Sequence, residues 1–442
     1  MELLYLLLAV IVIILLTTRL RLHPFLALLG VSLGYGILAG MPLPELIEAV
    51  NTGFGGTLGK IGLIIVLGII IGAFLEQSGG ARVLAARVLG WIGGKRIPLA
   101  MGVLGYVVSI PVFCDSGYML LDPLAKSLTR KAGISLAGAA VALGLGLMVS
   151  HTLVPPTPGP IAAAGILEAD LGLVILYALP ISLLALAAGV IFASRYAQRT
   201  PLEAKASGEP AVQATPEAGE EPGFIKAVLP IVIPILLIVL KSVLIRNTEV
   251  TGIYALIDFL GEPVIALMIG MLLSFLLPRR LNREMLSSSG WVGKAIMSAA
   301  SILLITGAGG VFGTVLQRSG IADALGGMLA QYEMGIWLPF VLAAALKTAQ
   351  GSSTVALITA ASILLPLMPT LGLESETQKA LAVVALGAGS AVFSHANDSF
   401  FWVVTQMSGM DVRTGYRLFG LGTFLIGTTA ALGVWACALI FA

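Results

Sequence analysis

Residues 150–160 read SHTLVPPTPGP and lie between two apolar runs that are each long enough to cross a bilayer. Prolines at 155, 156, 158 and 160 remove backbone donors and clash with the preceding turn, so no helix continues through them. In hydrocarbon every freed N–H and C=O needs a partner, and a break at membrane depth persists only where it is buried in protein or lines a watery cavity. The stretch therefore reads as part of a transport site. A second stretch, SHANDSF at 394–400, again sets a histidine and small polar residues between apolar runs. Of the three histidines in the chain, His151 and His395 fall in these two places.

The setting of both stretches is a membrane. Of the 442 residues 58% are hydrophobic and 11% charged, against about 25% charged in soluble proteins. Runs of Leu, Ile, Val and Ala of helix-spanning length recur without the strict alternation of a membrane β-barrel. The predicted fold class is all-α and polytopic, with the lipid bilayer as surroundings and no nucleic-acid partner. The formal net charge of +2 says little, because topology follows where Lys and Arg sit. Cys114 and Cys437 match no metal or redox spacing and are expected to be reduced. Met1–Thr18 lacks a positive n-region and a small-residue cleavage site, and reads as a first membrane helix, not a signal peptide.

Basic clusters assign the cytoplasmic side. The first unit, 1–60, holds helices at about 2–18 and 25–40, then a link to helix three at 61–75. The unit 61–199 continues through a basic segment with Arg82, Arg87, Lys95 and Arg96 to an interrupted apolar run, 98–128, with basic residues at both ends. That pattern predicts a re-entrant hairpin with CDSG (114–117) at its tip. A broken helix at 134–166 and a helix at 171–193 follow. Residues 200–224, rich in Pro, Ala, Gly and Glu, form a cytoplasmic linker. Helices six (226–245) and seven (255–277) make up the unit 225–292. In 293–442, helix eight (293–316) precedes a second hairpin at 337–367, flanked by Gln331, Glu333, Glu374 and Glu376 and entering from outside. A helix broken at SHANDSF (378–408) and a last helix at 416–440 complete about ten spans and two hairpins.

The two units match each other weakly but in order. GAFLEQSGGA at 72–81 aligns with GTVLQRSGIA at 313–322, and hairpin and histidine-bearing break follow in both. The first begins from outside and the second from inside, so they form an inverted repeat, the plan by which many secondary transporters build a midplane site with alternating access. No P-loop points to a pump, and no triad with a defined pocket points to an enzyme.

Four polar clusters converge in this scheme. They are Cys114, Asp115 and Ser116; His151 and Thr152 with Thr157; Gly351, Ser352, Ser353 and Thr354; and His395, Asn397, Asp398 and Ser399. Hairpin tips expose helix-end N–H groups and hydroxyls that hold anions, although Ser and Thr also serve as packing residues in membrane helices. Ionisable groups in apolar spans are functional candidates for proton or ion relays, which marks Asp115 and Asp398. His151 and His395 join them as proton-coupling candidates, since histidine titrates near physiological pH. Lys347 is either a countercharge for an anionic substrate or a snorkelling surface residue. Asp122 reads as a local cap or pair, and Gly68 with Gly72 as a GxxxG helix contact.

FGGTLGKIGLIIVLGIIIGAFLEQSGGA (54–81), IPVFCDSGYMLLDPLAKSL (110–128), HTLVPPTPGPIAAA (151–164), GSSTVALITAA (351–361) and SHANDSFFWVVTQMSGM (394–410) resemble the gluconate permease family of proton symporters over almost the whole chain. The resemblance implies uptake of gluconate or a related small sugar acid, driven by protons and without any cofactor, in a bacterial inner membrane. It also implies an elevator-like movement and a homodimer. Other small hydroxy acids and a D-amino acid are family substrates, and no residue here separates them. A sodium-coupled carboxylate carrier and an intramembrane enzyme using His151 and Asp115 are the competing readings.

Overall fold

A computed structural model of the protein describes residues 2–93, 96–203, 221–245, 252–320 and 334–441. Lys95, most of the 200–224 linker, and Gln331 and Glu333 beside the second hairpin lie outside the described residues.

Helices α1 (Glu2–Thr18) and α2 (Pro24–Leu38) come first and match the sequence reading closely. Helix α3 (Leu43–Gln77) begins well before the expected start at 61. The glycines of the supposed link lie within the helix and do not form a turn, and Gly53 among them is a contact point: a Cβ there would lie 2.7 Å from the Gly310 carbonyl oxygen of a crossing helix. At 1.5 Å per residue, a helix of this length measures about 50 Å and exceeds the ~30 Å hydrocarbon core. The basic segment that follows is itself helical, α4 (Gly80–Ile92), with Ala81, Leu84, Ala85 and Val88 buried on one face. On its other side the Arg87 guanidinium sits 5.7 Å from the Trp91 ring and 5.6 Å from that of Phe224.

The first hairpin has arms α5 (Ile97–Ser109) and α6 (Cys114–Ala132), and the first broken helix is α7 (Leu136–Leu153) with α8 (Pro158–Ile166). Helix α9 (Leu171–Arg195) follows, then α10 (Phe224–Leu244) and the pair α11 (Ile253–Gly261) and α12 (Pro263–Ser274), bent by 71°. Helix seven of the sequence reading is therefore this bent pair. Beyond α13 (Trp291–Arg318) come the second hairpin, α14 (Trp337–Gln350) and α15 (Ser353–Leu364), and the second broken helix, α16 (Glu376–Ser390) and α17 (Ser399–Ser408). The chain ends in α18 (Val412–Phe441), which contains a π turn at Tyr416–Gly420.

Among the described residues six helices are long and apolar enough to cross a membrane, or seven with the bent pair counted as one span. The order from α3 to α9, a long helix, a hairpin, a broken helix and a further long helix, recurs from α13 to α18. At the centre is α7. Its most apolar window is 94% buried, against 28% for α10. Seven of the 18 residues of α7 are Ala or Gly, as membrane packing favours, since helices there associate by close contact and not by expelling water. His151 is the single residue of α7 that is not buried.

Candidate functional site

Each polar cluster belongs to a place where a helix stops. The first hairpin turns at 110–113, one turn earlier than expected, and the CDSG sequence forms the opening turn of α6. Ser109 Oγ donates to the Val112 carbonyl across the turn at 3.2 Å. Gly72 of α3 lies directly beneath: a Cβ there would come within 2.0 Å of the Pro111 carbonyl oxygen, and one on Gly68 within 3.2 Å of the Pro156 carbonyl. The GxxxG pair thus seats the hairpin tip and the helix break.

The second hairpin turns at Gly351 and Ser352. Gly351 has φ +86°, and a Cβ would meet the Asn397 carbonyl oxygen at 2.1 Å, so two independent requirements select glycine. Ser352 Oγ accepts the Val355 N–H at 3.3 Å and caps α15. Lys347, fully buried in α14, donates to the Gly351 carbonyl and, at 2.7 Å, to Asp398 Oδ2. The snorkelling alternative for Lys347 is therefore excluded: its ammonium points inward.

Asp398 gathers the second break around itself. Its Oδ2 also accepts from Ser394 Oγ, and its Oδ1 accepts the Phe400 N–H at 3.0 Å, which caps α17. His395 Nε2 donates to the Thr348 carbonyl at 2.8 Å, and Asn397 Nδ2 donates to the carbonyls of Thr348 and Ala349 at 2.9 and 3.1 Å. These bonds satisfy the free carbonyls at the end of α14. They bind the second hairpin to the second broken helix.

Between the hairpins lies a cavity of about 180 Å³. The opening turn of α6 contributes Phe113, Cys114 and Asp115; α7 contributes Met148 and His151; α15 contributes Ser352, Ser353 and Thr354; and α17 contributes Asp398, Ser399 and Phe400. Three helix N-termini thus border one space, each carrying about half a positive charge and unpaired N–H groups. Its volume is below the ~300–1,000 Å³ of drug-sized sites, so it suits a small ligand. Asp115 Oδ1 and His151 Nδ1 are both buried without a hydrogen-bond partner among the described residues.

Eight of the residues singled out by sequence therefore line the cavity: Cys114, Asp115, His151, Ser352, Ser353, Thr354, Asp398 and Ser399. The others lie outside its wall. Ser116 turns towards the Glu76 carboxyl of α3. Thr152 Oγ1 donates back to the Met148 carbonyl at 2.9 Å and Thr157 Oγ1 to the Val154 carbonyl at 2.7 Å. Gly351, His395 and Asn397 hold the second tip, and the His395 ring stacks on Tyr416 at 6.4 Å. Sequence reasoning passed over Phe113, Met148 and Phe400, apolar residues with no signal of their own, and also Gln350, whose side-chain amide beside the tip is buried and unpartnered. A buried amide one residue before a hairpin glycine is the kind of signal that points to such a residue.

Comparison with known proteins supplies the context. The chain is 33% identical to a gluconate permease of Pseudomonas aeruginosa, with 93% of this chain and 92% of that one aligned. It is 35% identical to the inner membrane permease YgbN of Escherichia coli over 96% of each, and 32% identical to the D-serine transporter DsdX of Escherichia coli over 98% of each. The fold is similar to that of the YdaH transporter of Alcanivorax borkumensis, with a TM-score of 0.65 at 14% identity and 90% of each chain covered. The family model for GntP family permeases matches residues 1–440. The chain, a multi-pass helical membrane protein, belongs to the GntP family of permeases.

Proposed function

We propose that the protein is a secondary transporter that imports gluconate or a related small hydroxylated acid by proton symport across a bacterial inner membrane, with no cofactor beyond the coupling proton. The observation that carries this reading is the convergence of the N-termini of α6, α15 and α17 on one small cavity. Helix N-termini favour an anion without placing a full positive charge in the site. The Ser352, Ser353, Thr354 and Ser399 hydroxyls suit a polyhydroxylated chain, while Asp115 and His151 stand beside it as groups able to exchange a proton. Asp398 enters the reading as a second coupling candidate, and His395 as a residue that holds the second hairpin near the substrate.

The recurring element order supports an inverted repeat with two re-entrant hairpins; about ten spans, an elevator movement and a homodimer belong to the same proposal. Two contacts agree with that reading. Gly72 of α3 touches the first hairpin at Pro111, and Gly313 of α13, 3.2 Å from the Ser362 carbonyl if given a Cβ, touches the second. Relatedness to a D-serine transporter favours one alternative cargo, a small hydroxylated amino acid, which the same helix ends would hold by its carboxylate.

The test is uptake of labelled gluconate into proteoliposomes under an imposed proton gradient, a sodium gradient, or neither, with D-serine as competitor. Accumulation under the proton gradient alone, abolished by an uncoupler, is the expected result. Accumulation that needs sodium would overturn proton coupling, and D-serine uptake without gluconate uptake would reassign the cargo.

A further inference from the structure

Among the described residues, three buried side-chain oxygens without a geometric hydrogen-bond partner lie along α6: Asp115 Oδ1, Tyr118 Oη and Asp122 Oδ1. At 3.6 residues per turn, Asp122 and Lys126 stand within ~20° of the direction of Asp115, and Tyr118 about 60° to one side. Asp115 borders the cavity. Tyr118 is fully buried, its ring edge-on to the cavity residue Phe400 at 6.1 Å, and its hydroxyl lies near Asp122 and Ser408. Asp122, 2% exposed, pairs through Oδ2 with Lys126 at 2.7 Å. Beyond Lys126 the helix reaches the surface at Arg130 and Lys131.

Buried polar atoms are nearly always paired, so three exceptions along one helix need a reason. An ion pair that served packing alone would not require a buried tyrosine hydroxyl one turn before it and an unused carboxylate oxygen on the same face. Pro123 adds to the case: having no N–H, it leaves the Met119 carbonyl without its helical donor at this same level. The titratable groups that face Asp122 are Lys126 and Tyr118, and from α17, packed against α6, the Ser408 hydroxyl faces Tyr118.

We propose that this face of α6 is the route by which the coupled proton leaves the cavity, passing from Asp115 by way of Tyr118 to Asp122 and out past Lys126. The inference rests on the proton-symport reading. Asp115 loses the proton; the Tyr118 oxygen accepts it and releases its own to the Asp122 carboxylate. The acid so formed loosens its hold on Lys126, gives the proton to solvent at the Arg130–Lys131 end, and re-forms the ion pair. One proton crosses and no other bond changes.

Reconstituted wild type, Asp122→Asn, Tyr118→Phe and the double variant Asp122→Asn/Lys126→Gln test this. The double variant removes the unpaired buried ammonium and guards against a single variant that does not fold. Two quantities are measured: exchange of labelled gluconate against internal gluconate at equal pH, and accumulation with internal acidification under a proton gradient. Exchange should stay within about twofold of wild type in all three, while proton-driven accumulation falls at least ~tenfold, as loss of a proton-transfer group predicts. Asp122→Glu should keep both. A variant lacking Asp122 that accumulates like wild type overturns the route, and so does one in which exchange and accumulation fall together. Wild type that shows no proton-driven accumulation removes the symport reading and this inference with it, which separates the two failures.

Discussion

Lys347 Nζ and Asp398 Oδ2 lie 2.7 Å apart with side-chain exposures of 0% and 6%, an ion pair sealed between the second hairpin and the second broken helix. Each partner has more to do than neutralise the other. Lys347 also bonds the tip carbonyl of Gly351, and Asp398 also caps α17. Breaking a buried pair from one side leaves an uncompensated charge and costs about 3–5 kcal/mol. Lys347→Met should therefore unfold in milder denaturant than wild type by roughly that amount. The double variant Lys347→Met/Asp398→Asn should recover most of the loss, and a double variant as unstable as the sum of the singles would show that the two do not interact.

Gly351 is the second point where a single atom decides. Alanine there must occupy the left-handed region and drive a Cβ to 2.1 Å from the Asn397 carbonyl. Strain of this kind costs about 1–3 kcal/mol. Because the tip carries Ser352 and Ser353 into the cavity, we expect Gly351→Ala to lower substrate affinity as well as thermal stability. Alanine at Gly133, also at positive φ but in open space, is the control: it should cost stability and leave uptake intact.

Both helix breaks were legible in the residues because prolines at 155–160 and the run SHANDSF cannot continue a membrane helix, whatever surrounds them. Hairpin one was legible to within a turn: CDSG is polar enough to mark the region, but the chain turns at 110–113, where Pro111 rests on Gly72. That seat is a contact between distant segments: the GxxxG pair marks a close approach but not what approaches it. The same holds for the start of α3, where a glycine-rich run that looks like a loop is helical and Gly53 within it is a contact with α13. The partner of Lys347 lies 51 residues away, so sequence left its direction open, inward or outward. Pairing the two histidines by symmetry also missed a difference, since only tertiary placement shows that His395 bonds a helix end while His151 faces the cavity.

Glu168, in the turn between α8 and α9 and outside the spans, forms an ion pair with Lys60 of α3. The hydrogen bond from Lys60 holds the Glu168 carboxyl below its ordinary range of 4.5. A depressed carboxylate contributes stability that is present above the unfolded pKa and is lost as pH falls through the folded one. Both side chains are more than half exposed, so the pair should contribute under ~1 kcal/mol. Glu168→Gln should shift the melting temperature slightly at pH 7 and not at all at a pH below the folded-state value, with the difference shrinking in high salt. A large, salt-insensitive loss would mean that Glu168 does something other than pair with Lys60.

The two histidines should separate on different measurements. His151 is the one residue of α7 that is not buried, its Nδ1 has no partner among the described residues, and it borders the cavity. His395 donates to the Thr348 carbonyl and stacks on Tyr416, away from the cavity wall. Removing His395 by substitution with Ala deletes one hydrogen bond, worth about 1 kcal/mol, at the end of α14. The expected result is a lower melting temperature with a KM near that of wild type. His151→Ala leaves no broken bond behind and should melt like wild type, while KM for the transported acid rises at least ~tenfold, as for loss of one charge-assisted contact. The reverse pattern, with affinity lost at 395 and stability lost at 151, would move the substrate from the cavity between the hairpins to the outer side of the second break.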